Sequence, residues 1–140
     1  MIVLDTNVLS ELMRPAPDAS VVDWLDSQDA TSVTISAITV AEILYGIERM
    51  PNGQRKRALA GIAAAMFDED FLGRILSFDS EAAIHYAEQV AASESVGRHI
   101  HMADAQIAAI CIQYDAVLAT RNIKDFETMH IETINPWEMS

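Results

Sequence analysis

The sequence predicts an α/β fold: a three-layer α/β/α sandwich around a mostly parallel central sheet, built from one domain over residues 1–140. Three observations predict it. Short apolar runs of strand length alternate with longer segments of helical periodicity, the pattern of parallel strands joined by helical crossovers. The runs are apolar throughout rather than alternating, as in strands covered on both faces. Turn-forming or acidic residues follow several of the runs, at the edge where such sheets bind ligands.

The elements follow in order. Ile2 to Leu4 is a strand that runs directly into Asp5-Thr6-Asn7. Val8 to Met13 is a short helix, stopped by Arg14-Pro15-Ala16-Pro17. Residues 20–29 read as an amphipathic helix with Val21, Val22, Trp24 and Leu25 inward, and residues 32–35 as a second strand. A helix over 39–50 is broken by Pro51-Asn52-Gly53, and another spans 54–71. Arg74 to Phe78 is a third strand; residues 80–96 form a long helix ended by Gly97. Residues 102–114 are helical, Ala116 to Ala119 is a fourth strand, and residues 131–134 form a short fifth.

Half the residues are apolar, enough for a proper core at 140 residues. No run reaches membrane-spanning length, and the first residues form a strand pattern without a basic leader, so the expected location is the cytoplasm. The single cysteine, Cys111, excludes an internal disulfide and a cysteine-rich zinc site, and its apolar helical setting predicts burial. A formal net charge of −12 argues against coating nucleic acid by bulk charge. It leaves room for an enzyme that meets nucleic acid at a small site with a divalent cation, or for a basic partner. The clustered basic residues, Arg49, Arg55, Lys56 and Arg57, with Arg121 and Lys124, read first as solvated surface.

Four acids stand where ligands bind, and each has a structural alternative. Asp5 follows the first strand and suits a helix N-cap as well as one arm of a metal site. Glu42 completes a capping box with Thr39, yet falls off the stripe of Val40, Ile43, Leu44 and Ile47. Asp104 opens a helix whose inward face is Ala103, Ile107, Ile110, Cys111 and Tyr114, where an acid also complements the helix dipole. Asp125 lies past the fourth strand, where turn chemistry around Asn122 explains it equally. Converging carboxylates repel, and a divalent cation relieves this best; hard oxygen donors suit Mg²⁺ or Mn²⁺, with Thr6, Thr120 and Asn122 placed to orient ligands or substrate.

The segments LDTNVL, AEILYGIE, ADAQIAA and ATRNIKDFE, in that order over residues 2 to about 137, resemble the PIN-domain family, and within it the VapC-type toxins of toxin–antitoxin pairs, especially the FitB-like branch. The resemblance implies a Mg²⁺- or Mn²⁺-dependent endoribonuclease that hydrolyses RNA with a metal-activated water. Asp5, Glu42, Asp104 and Asp125 then become the catalytic and metal-binding acids, while Thr6, Asn7, Thr120, Asn122 and Arg121 support ligands or substrate. It also implies a homodimer and a hetero-oligomer with a cognate VapB- or FitA-like antitoxin that inserts a basic segment at the acidic site. Arg14, Arg121, Lys124 or the Arg49 to Arg57 group are the candidates for holding RNA. Arg98-His99-Ile100-His101 departs from the family pattern, and its histidines read as surface residues. Two rival readings remain: a PIN-like binding module without catalysis, and a receiver-like signalling module with Asp79 as phospho-acceptor.

Overall fold

The structure, a computed structural model, describes residues 1–139. Its strands are β1 (Ile2–Leu4), β2 (Val33–Ser36), β3 (Ile75–Leu76), β4 (Val117–Ala119) and β5 (Thr133–Ile134). Its helices are α1 (Thr6–Leu12), α2 (Ala19–Asp26), α3 (Ala37–Glu48), α4 (Gln54–Ala65), α5 (Ser80–Ser95) and α6 (Met102–Tyr114). The sheet order is β3-β2-β1-β4-β5, and all four pairings are parallel. β1 lies at the centre, with Ile2 opposite Val33 on one side and Val117 on the other.

Three layers follow from the strand period of two. Val3 and Leu4 point to opposite faces. Leu4 joins Val8, Leu9, Val21, Trp24 and Ile35 in a core under α1 to α4, whereas Val3 joins Ala105, Ile107, Cys111, Leu118 and Phe126 in a core under α6. The α6 helix is buried at every position from Ile107 to Cys111, wider than the single face expected; Tyr114 is exposed. Cys111 is buried as expected, and burial pushes its thiol up to about 12, which makes it unreactive.

Several boundaries differ from expectation for identifiable reasons. The α1 helix begins at Thr6 because Asp5 caps it, and α3 begins at Ala37 because Ser36 Oγ accepts the Thr39 N–H at 3.1 Å. Thr39 is therefore inside the helix, Glu42 is not its capping partner, and Leu44 is exposed rather than inward. The expected helix over 54–71 stops as an α-helix at Ala65 and widens into a π turn, Met66–Asp70; the wider turn keeps both Phe67 and Phe71 in the core. The second helix is shorter than expected, ending at Asp26, because Ser27 Oγ turns back to the Trp24 carbonyl at 2.6 Å. The third strand is only Ile75–Leu76. Glu11, unremarked in the sequence, is buried: its carboxylate accepts Arg14 Nη1 at 3.1 Å and the Asp18 N–H at 2.8 Å, fastening the proline-rich turn.

The arrangement decides where a site forms. The chain moves outward from β1 to β2 and β3, then returns to place β4 on the other side of β1. That reversal opens a crevice at the carboxyl ends of β1 and β4, flanked by Asp5 and Thr120.

Candidate active site

Asp5 is both a cap and a site residue. Its backbone is extended (φ −68°, ψ 159°), and its N–H donates to the Ala119 carbonyl at 2.9 Å, tying the end of β1 to β4. Its carboxylate accepts three donors: the Thr6 N–H at 2.9 Å, Asn7 Nδ2 at 3.0 Å and Thr120 Oγ1 at 2.8 Å. Only 4% of Asp5 is exposed. Burial raises its proton affinity above the usual carboxylate range, the three donors pull it back, and the charge of Glu42 raises it again.

Asn7 and Thr120 act as a frame around that carboxylate. Asn7 Oδ1 accepts the Arg121 N–H at 3.1 Å, and Thr120 Oγ1 accepts the Asn122 N–H at 3.0 Å. Thr120 is fully buried. The two triplets Asp5-Thr6-Asn7 and Thr120-Arg121-Asn122 thus interlock across adjacent strand ends, which no local pattern in either triplet announces.

Glu42 reaches the site from the second turn of α3. Thr6 Oγ1 donates to Glu42 Oε1 at 2.6 Å and lies 3.0 Å from Thr39 Oγ1; Ser36 Oγ lies 3.4 Å beyond and donates to Thr39. A hydroxyl has one proton, and Thr6 gives its own to a carboxylate. Thr39 must therefore donate to Thr6, and the chain Ser36, Thr39, Thr6, Glu42 runs in one direction. Ser36 and Thr39 are fully buried. Sequence reasoning missed both as site residues; the signal was the three-residue spacing of Ser36, Thr39 and Glu42, which puts them along one side of a helix.

Asp104 occupies the first turn of α6, half-buried. Its carboxyl is pushed up to about 6, first by desolvation and then by the charges of Asp5, Asp125 and Glu42; His101 opposes this weakly. Asp125 lies in the short turn Ile123–Phe126, exposed, with its N–H on the Asn122 carbonyl at 3.0 Å. Its neighbour Phe126 is buried in the α6 core, and Ser93 of α5 lies 2.8 Å from Thr128, which holds the turn. Of the two residues considered for the fourth place, Asp125 presses its charge on Asp104, while Asn122 takes part through its backbone N–H.

The structure thus brings Asp5, Glu42, Asp104 and Asp125 within electrostatic reach of one another. Among the described residues no three His, Cys, Asp or Glu side chains close a metal cage by themselves. The donor set still fits a hard divalent cation. Mg²⁺ commonly takes one or two carboxylates and keeps its remaining places for water and phosphate, and burial first, then the charges of neighbouring acids, raise the proton affinities of Asp5 and Asp104, an effect a bound cation opposes. Zinc fits poorly, since the donors are carboxylate and hydroxyl oxygens.

Beside the acids runs a cleft of about 630 Å³ between α1, α3 and α4. Met13, Ile43, Ile47 and Leu59 make its walls apolar; Thr6 and Glu42 line it too, and Arg14 and Arg55 supply positive charge. Other residues singled out in the sequence lie outside the constellation. Asp79 caps α5, accepting the Ala82 N–H at 3.0 Å and Gln113 Nε2 at 3.2 Å, which lowers its proton affinity and gives it a structural role rather than that of a phospho-acceptor. His99 and His101 are exposed and pack edge to face at 5.7 Å. Arg49 lies over the Tyr45 ring, and Lys56 Nζ bonds the Glu48 carbonyl, as surface groups.

Known proteins share this fold. The chain is 40% identical to VapC ribonuclease Y4jK of Sinorhizobium fredii, an alignment covering 99% of both chains. It is 41% identical to Toxin FitB of Neisseria gonorrhoeae, over 98% of this chain and 99% of that one. The crystal structure of FitAcB from Neisseria gonorrhoeae superposes with a TM-score of 0.89 at 38% identity, covering 99% of this chain and all of that one. The PIN domain family model matches residues 2–130. With its four acids, its parallel sheet and its crevice at the ends of β1 and β4, the chain belongs to the PIN-domain family.

Proposed function

We propose that the protein is a Mg²⁺- or Mn²⁺-dependent endoribonuclease, the toxin of a toxin–antitoxin pair working in the cytoplasm. The observation that supports this reading most is the meeting of four carboxylates at one sheet edge, with Asp104 raised to about 6 by burial and by the charges of the other three. The names of the relatives, a ribonuclease and a toxin, agree with it. Asp5 and Asp104 would hold the ion, with Glu42 and Asp125 close enough to help. When bound, the cation would supply the charge that acidifies water and stabilises the phosphoryl transition state.

The chain's own residues supply the rest. Thr120 and Asn7 fix the direction of the Asp5 carboxylate. The hydroxyl chain from Ser36 to Thr6 fixes Glu42. Neither requires a side-chain nucleophile: the hydroxyls of Thr6 and Thr120 already donate to carboxylates, so attack on phosphorus falls to water. The cleft beside Glu42 suits an antitoxin segment that carries apolar residues along α3 and α4 and ends in an arginine, whose guanidinium matches paired carboxylates. A homodimer completes the proposed assembly, to be checked by light scattering.

The test is cleavage of cellular RNA by antitoxin-free protein with Mg²⁺, with Mn²⁺ and with EDTA, beside Asp104→Asn and calorimetry with Mn²⁺. Metal-dependent cutting and heat of metal binding, both lost in the variant, are expected. Folded protein that neither cuts nor binds metal would overturn the enzyme reading in favour of a non-catalytic binding module.

A further inference from the structure

Arg121 lies between Thr120, which grips Asp5, and Asn122, and it is held twice. Its backbone N–H donates to Asn7 Oδ1 at 3.1 Å, and its guanidinium lies over the Trp137 ring, 4.8 Å from the centroid. Trp137 is itself fixed. It packs against the core under α1 and α2, and its N–H donates to Asn135 Oδ1 at 3.0 Å in the short turn Pro136–Glu138 that lies on α2. Arg14 and Arg98 each lie within ion-pair distance of a glutamate; among the described residues Arg121 pairs with no carboxylate. Arg121 is exposed.

An arginine lying on an indole is attracted through the ring face, while its N–H donors, all in the guanidinium plane, stay open. The side chain is thus pre-placed at the rim of an acidic site, held by a ring rather than by an acid. The partner that complements it is an oxyanion delivered by a ligand, and a phosphodiester offers the two acceptor oxygens a planar fork recognises best. We propose that Arg121, seated on Trp137, anchors the RNA phosphate next to the scissile one on the α1–α2 side of the sheet edge. This rests on the RNA-cleaving function proposed above. In a chain of net charge −12 such an anchor also answers how a polyanion is held at all: by one fixed local contact beside the metal site rather than by surface potential.

Binding of a short, labelled single-stranded RNA is measured by fluorescence anisotropy as a function of NaCl, with Ca²⁺ in place of Mg²⁺ and the RNA checked as intact on a gel. Arg121→Gln is expected to raise Kd about tenfold. It should also lower the slope of log K against log salt by about 0.7, the value for one phosphate contact on a single strand. Trp137→Leu keeps the charge and should weaken binding about threefold with the slope unchanged, because the guanidinium is no longer pre-placed. If both variants lower the melting temperature yet bind RNA as the wild type does, the pair is a structural clip and the inference fails alone. Loss of antitoxin binding with RNA affinity intact would make Arg121 a protein contact and also overturn it. No RNA binding by the folded wild type would overturn both this inference and the RNA-cleaving function.

Discussion

Replacing Asp104 by Asn should make the metal-free protein more stable while abolishing its activity. The carboxyl moves from 3.8 to about 6 on folding, so the ionised form is the one the folded site disfavours. Taken whole, that displacement corresponds to about 3 kcal/mol. The group is only half-buried and water screens it, so about half that figure, ~1.5 kcal/mol, is the working value. In a domain of this size it raises the melting temperature by about 5 °C. The sign depends on pH. Between 3.8 and about 6 the folded state binds the extra proton, so wild-type stability falls as pH rises through that window, and the penalty is fully present above it. Asn carries no such penalty. Urea or thermal melts in EDTA should therefore show Asp104→Asn ahead of wild type at pH 7.5, with the gap narrowing as pH falls through the window and closing only below 3.8. Added Mn²⁺ should close the gap at pH 7.5 by stabilising the wild type alone. A variant less stable than wild type at pH 7.5 would refute the reasoning: the carboxylate would then be favourably engaged, as a partner of the α6 dipole, and not in conflict with its acidic neighbours.

Other outcomes follow from the same geometry. Thr120→Val removes the 2.8 Å donor to buried Asp5 and the acceptor of the Asn122 N–H, and should cost about 2–3 kcal/mol at pH 7.5 by urea melts; the loss should shrink as pH falls and Asp5, whose proton affinity burial raises, takes up its proton, and a loss that does not change with pH would sink the explanation. Thr39→Val interrupts the hydroxyl chain behind Glu42, and should weaken Mn²⁺ binding about tenfold by calorimetry at a cost near 1 kcal/mol in stability. Gly46 lines the cleft on α3 with open space where a Cβ would stand, so Gly46→Phe should fold, gain about 0.5–1 kcal/mol of helix stability and lose neutralisation by the antitoxin, read as growth when the two are co-expressed.

Much of this was legible in the chain. Apolar runs of strand length reported five strands in their right places because strands covered on both faces need little else. The capping role of Asp5 was legible and holds, and the same carboxylate also accepts Thr120 from the neighbouring strand end, which leaves it placed for the ligand role the sequence suggested. Glu42 was placed correctly off the apolar stripe but with the wrong local alternative, because Ser36 outcompetes Thr39 for the cap by standing at the strand end. What escaped was the contact between distant segments. Nothing local links Thr6 to Thr39, or Arg121 to Trp137; each residue alone has an ordinary explanation, and only the sheet puts them side by side. The π turn after Ala65 was invisible for a related reason, since two phenylalanines four apart fit an α-helix as well until the core demands both.

The pairing of β1 with β4 also bears on when the protein becomes dangerous during its own synthesis. Asp5 is among the first residues made, yet the hydroxyl that aims it belongs to a residue 115 positions later. At synthesis rates of roughly 5–20 residues per second, the early carboxylate waits on the order of ten seconds before its frame exists. Until β4 slides in beside β1, a nascent chain carries its first acids without a crevice. Only an almost finished chain is armed, by which time the apolar cleft between α1, α3 and α4 is already complete. The strand order thus lets the surface proposed for restraint mature before the blade it restrains.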